Sequence, residues 1–577
     1  MAVKIPTKRW EIYPRAPEAH LAQFFDVPRL VTQILYNRGV FRSNEVHQFI
    51  DAVSDSDDPF LMKGITEAVD EIFRVIETGG LIVVYGDYDA DGVTSTTLMT
   101  QALQALGARA EPYIPDRFDE GYGLNKQAIA ELAKKGAALI VTVDCGIRSA
   151  EEVAYGNDLG LKFIITDHHQ VPGDDNGYDV TPPAVAVINS RQAACAYPFK
   201  DLAGVGVAYK LAQALKVATP KKANSPGLQE EDLLDLVAIG TVADMVPLVG
   251  ENRALVKRGL RYINRPQRVG LKALIEQTQL KVGRITAGTI GFTLGPRLNA
   301  AGRLTHALSA YRLLSTQDPA EAQKLAAELH RINVERQQMT QQFVNSARAQ
   351  IMQGDSLDPL YLITDPEFNE GVVGLVASRL TEQFYRPTLV ARLGETTSKG
   401  SGRSIPEFDI TRALDQCADL LVKHGGHAAA AGFTILNENL DAFKERLIAI
   451  AGETFDSASL KKTLTVDAEI NLRGVTHQLI DDIQNLQPFG YGNATPRFVT
   501  KNLEVKFHKL VGKDKNHLKL NLFDGKQLWD AIGFGMGEVW PSIPRGARID
   551  AVYTLEFNIW NGMTRLQLNL KDLRLSG

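Results

Sequence analysis

The chain has 577 residues, a formal net charge of −5, 44% hydrophobic and 23% charged residues, values ordinary for a globular protein of several domains. No apolar run approaches the roughly 18 residues of a membrane-spanning helix, and the opening MAVKIPTKRW has none of the apolar stretch of a secretory signal. Three cysteines, Cys145, Cys195 and Cys417, without CxxC spacing exclude a disulfide framework and a structural zinc site, so a reducing, cytoplasmic setting is expected. The charge is unevenly placed. Residues 501–577 hold 12 Lys/Arg against eight Asp/Glu, or +4, which leaves −9 for the rest. A basic C-terminal module on an acidic body suits a phosphate-tracking surface beside a carboxylate-rich site.

In chain order, residues 1–70 are helical in character and carry no readable motif. LIVVY (81–85), ALIVTV (138–143) and KFIIT (162–166) are short, β-branched and continuously apolar, the pattern of strands buried on both faces of a parallel sheet. Helical segments such as KQAIAELAKKG lie between them, which predicts an α/β layered domain. Residues 221–232 form a polar loop. Asp318-Pro319 opens a long amphipathic segment on which Leu325, Leu329, Ile332, Met339, Phe343 and Ala347 recur at helical spacing, until Gly354. About 35 residues make a rod of about 50 Å, a strut between two domains. PLYLIT (359–364) and TLVARL (388–393) flank a helix around GVVGLVASRL in a second α/β domain that closes with HGGHAAAAGF (424–433). From about 460, LEVKFHKL, HLKLNLF, RIDAVYTLEFNI and TRLQLNLKDL alternate as strands of a small barrel or sandwich. The expected boundaries are 1–70, 71–305, 306–354 (the long helix), 355–455 and 456–577.

Asp87, Asp89 and Asp91 follow the first strand in YGDYDADG. A spacing of two puts alternate side chains on one face, and three carboxylates there repel one another unless a cation neutralises them. Gly92 permits the turn, and Thr94 or Ser95 can cap the next helix. The segment resembles half a calcium loop, but Leu98 stands where that loop needs its glutamate. Asp144 follows ALIVTV directly, and Asp167-His168-His169 follows KFIIT; both lie at C-terminal strand ends, where open α/β sheets bind ligands. Imidazole among carboxylates suits Mn²⁺ or Mg²⁺. Asp244, in the apolar LVAIGTVADMVPL, is either aimed at that site or a helix cap. Two such cations sharing a carboxylate are the standard equipment for phosphate-ester hydrolysis.

GDYDADG, VDCG, TDHH and GTVADMVPL resemble the four ordered motifs of the DHH phosphoesterase superfamily. IPDRFDEGYGL, LAGVGVAYKL, GPRLNAAGRL, KGSGRS, GGHAAAAGF and PFGYGNATPRF resemble, more narrowly, the RecJ family of bacterial 5′→3′ single-strand exonucleases, from about residue 20 to the C-terminus. The resemblance implies a parallel-sheet DHH domain, a smaller DHHA1-type α/β domain joined by the long helix, and a C-terminal OB-fold barrel. It implies two Mn²⁺ or Mg²⁺ ions per site, with Asp89 and Asp87 at one, Asp91, His168 and Asp244 at the other, and Asp144 bridging. His169 would face the substrate, Asp167 would orient the histidines, and His427 would contact the scissile phosphate, Gly425 and Gly426 letting the backbone approach. Arg117, Ser401 and Arg403 match a pocket for the 5′-terminal phosphate, and Tyr122 would stack on the terminal bases. Arg297, Asn299 and Arg303 would line the path of the strand. For each arginine a plain ion pair is the alternative.

The barrel lysines Lys506, Lys509, Lys513, Lys515 and Lys519 would grip single strands without reading sequence. Trp560 and Phe557 either stack on bases or lie in the core. The sequence departs from the family pattern at Phe368 and Asn369, where a Trp-His pair is usual. The implied activity is metal-dependent release of 5′-mononucleotides from single-stranded DNA in recombination and in mismatch, base-excision and stalled-fork repair. Water would attack in line at the first internucleotide phosphate. Implied partners are single-stranded DNA, the single-strand-binding protein and a RecQ-type helicase, with no membrane and a monomeric chain. The alternatives are a DHH-family oligoribonuclease or cyclic-dinucleotide phosphodiesterase, a non-catalytic binding scaffold, and a pyrophosphatase.

Overall fold

The computed structural model describes residues 8–51, 57–117, 119–121, 123–174, 176–219, 227–353, 358–456, 459–537, 539–541, 543–560 and 563–576. The chain forms two compact units, one of residues 44–334 with 486–494, the other of 1–43, 335–485 and 495–577. Among the described residues no helix is long and apolar enough to cross a membrane.

The first unit is built on five parallel strands: β1 (Leu81–Gly86), β2 (Arg109–Tyr113), β3 (Ala137–Val143), β4 (Lys162–Thr166) and β5 (Ala186–Ile188), in the order β2-β1-β3-β4-β5. Every residue of β1 is buried because both faces are covered. Ile82 and Val84 enter one core with helices α1 (Ala90–Ala105), α4 (Gly204–Ala218) and α5 (Leu234–Ala243). Leu81, Val83 and Tyr85 enter the other, with α2 (Lys126–Lys134) and α3 (Ala150–Asp158). After β1 the chain pairs β2 on one side and then crosses to β3 on the other. The strand order therefore reverses at β1 and β3, and a crevice opens at their C-terminal ends. Asp87 and Asp144 stand there.

Helix α1 is buried almost all round although it carries four threonines and a serine. Three of its hydroxyls are satisfied internally: Thr94, Thr96 and Thr97 donate to the carbonyls of Ala90, Gly92 and Val93 at 2.7–2.8 Å. It starts earlier than a Thr94/Ser95 cap would allow. Asp89 is the N-cap, its Oδ1 accepting from the amides of Asp91 and Gly92. Helix α6 (Gly295–Leu304) follows a π-helical turn over Ile290–Leu294. The long helix α7 runs from Pro319 to Met352, and Asp318 caps it through the Ala320 amide. Residues 486–494, which the sequence boundaries assign to the barrel module, pack in the first unit. Leu248 N–H donates to Tyr491 O at 2.7 Å, and the Arg253 guanidinium donates to the carbonyls of Leu486 and Gln487.

The second unit holds a mixed sheet of β6 (Tyr361–Asp365), β7 (Thr388–Arg392), β8 (Thr397–Arg403), β9 (Leu421–His427) and β10 (Ala430–Leu436), in the order β9-β10-β8-β7-β6. Helix α8 (Val373–Phe384) packs on β7 and β8. KGSGRS is thus strand, and HGGHAAAAGF is a tight hairpin with His427 paired to Ala430. Five further strands, β11 (Phe498–Val511), β12 (His517–Phe523), β13 (Leu528–Gly533), β14 (Arg548–Trp560) and β15 (Met563–Leu575), close into a barrel through the β11–β14 pairing. Leu518, Leu520 and Leu522 alternate into its interior. The N-terminal segment is not wholly helical. Arg9–Ile12 forms a strand parallel to Thr463–Val466, with Trp10 packed on that small core.

Candidate metal centre

Five strand or helix ends deliver the acidic cluster. Asp87 and Asp89 leave β1, Asp91 lies in the first turn of α1, Asp144 ends β3, His168 and His169 end β4, and Asp244 ends α5. Three groupings of potential ligand atoms, each within 4.8 Å of one another, result: Asp87–Asp89–Asp144, Asp91–His168–Asp244 and Asp144–His168–His169. Asp144 belongs to two of them. Its backbone sits at φ 62°, in the left-handed region, a cost that functional sites tolerate when the surroundings impose it.

The electrostatics demand a cation. Burial, first, and the neighbouring carboxylates push Asp87, Asp91 and Asp144 well above the usual carboxylate range. Asp244 is pushed up to about 7 by burial and by Asp89, and it stands at a helix C-terminus, where the helix dipole also disfavours an anion. Asp91 is better placed: its two oxygens accept from the amides of Gly204 and Val205 at the start of α4 (2.7 and 3.0 Å). Three buried polar atoms of this cluster have no hydrogen-bond partner among the described residues, namely Asp87 Oδ1, Asp144 Oδ1 and His168 Nε2. His168 Nε2 lies 3.1 Å from Asp144 Oδ1 and 3.6 Å from Asp244 Oδ2. Orphaned atoms converging from several carboxylates and an imidazole fit divalent cations with mixed oxygen and nitrogen ligands.

The two histidines are differentiated. Burial and the charge of its neighbour His169 lower His168 to about 3, so it is neutral, as a ligand must be. Burial also works against charging His169, but the Asp167 hydrogen bond and the nearby carboxylates outweigh it and raise it to about 9. Asp167 Oδ1 takes His169 Nδ1–H at 2.7 Å together with the amides of both histidines, and its Oδ2 takes the Ile147 amide. Asp167 thus holds the ring of His169 and only the backbone of His168.

Glycines let this cluster close. A Cβ on Gly92 would meet Asp87, one on Gly204 would lie 2.5 Å from Asp144 Oδ1, and one on Gly240 would lie 2.6 Å from Asp91 Oδ1.

The other expected residues divide between the units. Arg117, after β2, lies over the Tyr88 ring, 5.1 Å from its centroid, and its charge reaches Asp87. Tyr122 lies outside the described residues. Arg297 is tied to Thr293 O (2.6 Å) and His330 Nδ1 (3.2 Å). Asn299 Oδ1 accepts the Ala90 amide at 2.7 Å, and the charge of Arg303 is felt at Tyr88. In the second unit Ser401 and Arg403 share one face of β8. Both approach Gly374 at the start of α8, where a Cβ would meet Arg403 Nη2 at 3.0 Å and Ser401 Oγ at 3.5 Å. A guanidinium, a hydroxyl and a helix N-terminus thus meet around a bare glycine, the kinds of group that can bind an anion. His427 is exposed at the end of β9; Gly425 faces open space, and Gly426 admits no side chain because a Cβ would lie 2.4 Å from Ala430 O.

Phe368 is core, packed 5.1 Å from Phe343, and Asn369 Oδ1 accepts the Gly371 amide. Phe557 stacks on His477; the Trp560 side chain lies outside the described residues. On the barrel Lys509, Lys513 and Lys515 are exposed, Lys506 pairs with Glu504, and Lys519 is 3.9 Å from Asp530. Sequence reasoning missed the exposed Phe507 of β11 and Phe534, just after β13; for Phe507, an apolar residue on the outward phase of an alternating strand was the available signal.

Comparison with known proteins agrees with this geometry. Residues 81–241 match the DHH family N-terminal domain, 358–453 the DHHA1 domain and 466–572 the RecJ OB domain. The chain is 39% identical over 576 residues, 98% of its length and 71% of the relative's, to the single-stranded-DNA-specific exonuclease RecJ of Bacillus subtilis. Among solved structures it resembles RecJ from Thermus thermophilus in complex with Mn²⁺ (31% identity, TM-score 0.83, 99% of this chain and 80% of that one). The same protein with Mg²⁺ gives 30% identity and a TM-score of 0.78 over 99% and 79%. With the carboxylate–histidine cluster suited to those cations and all three domain types present in order, the chain belongs to the RecJ family of single-stranded-DNA-specific exonucleases.

Proposed function

We propose that this protein hydrolyses single-stranded DNA from its 5′ end, releasing 5′-mononucleotides, with Asp87, Asp89, Asp91, Asp144, His168 and Asp244 holding two Mn²⁺ or Mg²⁺ ions. The observation that carries the reading is the set of three ligand groupings, of which Asp87–Asp89–Asp144 and Asp144–His168–His169 share Asp144 and Asp91–His168–Asp244 shares His168, together with the buried Asp144 Oδ1 that has no hydrogen-bond partner among the described residues. When bound, such cations polarise the phosphodiester and lower the pKa of the attacking water. The chain supplies the rest. The carboxylates fix the geometry and are neutralised in turn. His168 presents a neutral Nε2 to the cluster. His169, held through Nδ1 by Asp167 in a hydrogen bond that favours its protonated form, offers Nε2–H to a phosphate oxygen. Arg117 and the cradle of Ser401 and Arg403 bind phosphate, and His427, with room around Gly425, contacts the diester. Arg297 and Arg303 attract the strand, and Lys509, Lys513 and Lys515 of the barrel add sequence-independent grip.

Recombinational and excision repair, with the single-strand-binding protein and a RecQ-type helicase as partners, are the processes that such an activity serves; a monomer acting in the cytoplasm completes the proposal. The barrel disfavours the small-substrate alternative, because a dinucleotide needs no extended basic surface.

The test is a single strand of about 30 nucleotides labelled separately at each end and incubated with Mn²⁺, with EDTA beside it. Early release of the 5′ label as mononucleotide, abolished by EDTA, is the expected result. Loss of the 3′ label first would reverse the polarity, and hydrolysis confined to dinucleotides would move the protein to the small-substrate branch.

A further inference from the structure

We propose that Asn299 and Gly302, on helix α6, are positioning residues of the metal centre: they clamp the aspartate loop from behind and so set the spacing of its carboxylates. The inference rests on the reading that the cluster holds two cations.

The loop 87–91 carries three potential ligands in five residues, and a chain that short has no internal means of holding three like charges together. Its backbone groups must be fixed from outside. The amides of Asp91 and Gly92 are taken by Asp89 Oδ1. That leaves the amide of Ala90, the first of α1 and flanked by Asp89 and Asp91. Helix N-termini leave such amides orphaned unless a side chain accepts them. Asn299 Oδ1 accepts this one at 2.7 Å, across 209 residues of sequence. One turn further along α6, Gly302 lies against the carbonyl of Tyr88, between Asp87 and Asp89: a Cβ there would stand 2.3 Å from Tyr88 O and 3.3 Å from its carbon. Backbone cannot retreat as a flexible side chain can, so only glycine allows α6 to sit this close. The two contacts fix both peptide groups that adjoin Asp89, one from each side. Asn299 thereby spares the carboxylates the task of capping Ala90 and leaves them to a cation. Its carboxamide oxygen is committed to the loop and is not a ligand for the DNA strand.

The purified full-length protein, stripped of metal, is titrated with Mn²⁺ by calorimetry as wild type, Asn299→Ala, Gly302→Ala and Asp144→Ala, and KM and kcat are measured on single-stranded DNA at saturating Mn²⁺. Loss of an outer-shell contact typically weakens metal binding about 10–100-fold. Asn299→Ala and Gly302→Ala are expected to weaken Mn²⁺ binding by about that factor, with KM for DNA unchanged once metal is saturating. Unaltered Mn²⁺ affinity in Asn299→Ala overturns the proposal, as does a raised KM with intact metal binding, which would return Asn299 to the path of the strand. If Gly302→Ala fails to fold, Asn299→Ala alone decides. Asp144→Ala separates the two levels. If it binds Mn²⁺ as the wild type does, the two-cation reading itself fails; if it loses Mn²⁺ while Asn299→Ala does not, only the clamp fails.

Discussion

Asp144 meets more like charge than a buried carboxylate tolerates, and the cluster around it makes the protein's stability depend on both pH and metal. Without a cation, Asp87, Asp91, Asp144 and Asp244 hold protons at pH values where the unfolded chain has released them. The folded state then binds more protons than the unfolded one, so stability falls as pH rises from about 4 through the raised values, which reach about 7 for Asp244. A bound cation replaces those protons and removes the penalty. Saturating Mn²⁺ is therefore expected to raise Tm more at pH 8 than at pH 6, read by differential scanning fluorimetry. An equal rise at both, or none, would mean that these carboxylates do not hold the metal. At this scale the ligand types were legible in the sequence, because acids and a His pair directly after apolar strands have few other uses. The commitment of Asn299 to Ala90 was not legible, since a contact across 209 residues leaves no local pattern.

The elements that carry the site were legible where burial made them uniform. β1, β3 and β4 are covered on both faces and read as unbroken apolar runs, and α7 shows its capping Asp-Pro and its periodicity. The edge strand β2, Arg109–Tyr113, is polar and contains Pro112, and β5 has three residues; neither carries enough pattern to register. The Gly- and Ser-rich β8 and β9 lack the β-branched residues of a strand and form because their neighbours offer hydrogen-bond partners. That strand geometry brings Ser401 and Arg403 onto one face beside the start of α8. Replacing Arg403 with Ala is expected to raise KM at least about tenfold for a 5′-phosphorylated strand, the value of a charge-assisted hydrogen bond. The effect should be much smaller for a 5′-hydroxyl strand. Equal effects on both, in steady-state assays, would make Arg403 a general backbone contact.

Over the whole molecule the chain divides the chemistry: one unit gathers the carboxylates and His168 and His169, and the other carries His427, the Ser401–Arg403 cradle and the basic barrel. The barrel's contribution is expected to be electrostatic. Changing the exposed Lys509, Lys513 and Lys515 to Gln should make the salt dependence of single-strand binding shallower by about 2 in log–log slope, near 0.7 per phosphate contact. An unchanged slope, measured by fluorescence anisotropy over a salt series, would take these lysines out of the DNA interface. The barrel was legible from its alternating strands; its start was not, because PFGYGN reads as part of that module while Tyr491 O accepts from Leu248, and Gln487 O just before it from Arg253, both of the first unit. Sharing of Asp144 by two cations is tested most directly by titrating the metal-free protein with Mn²⁺ by calorimetry. Two ions per chain are expected for the wild type, and loss of both in Asp144→Ala. A single ion in the wild type, or two that survive the substitution, would contradict it.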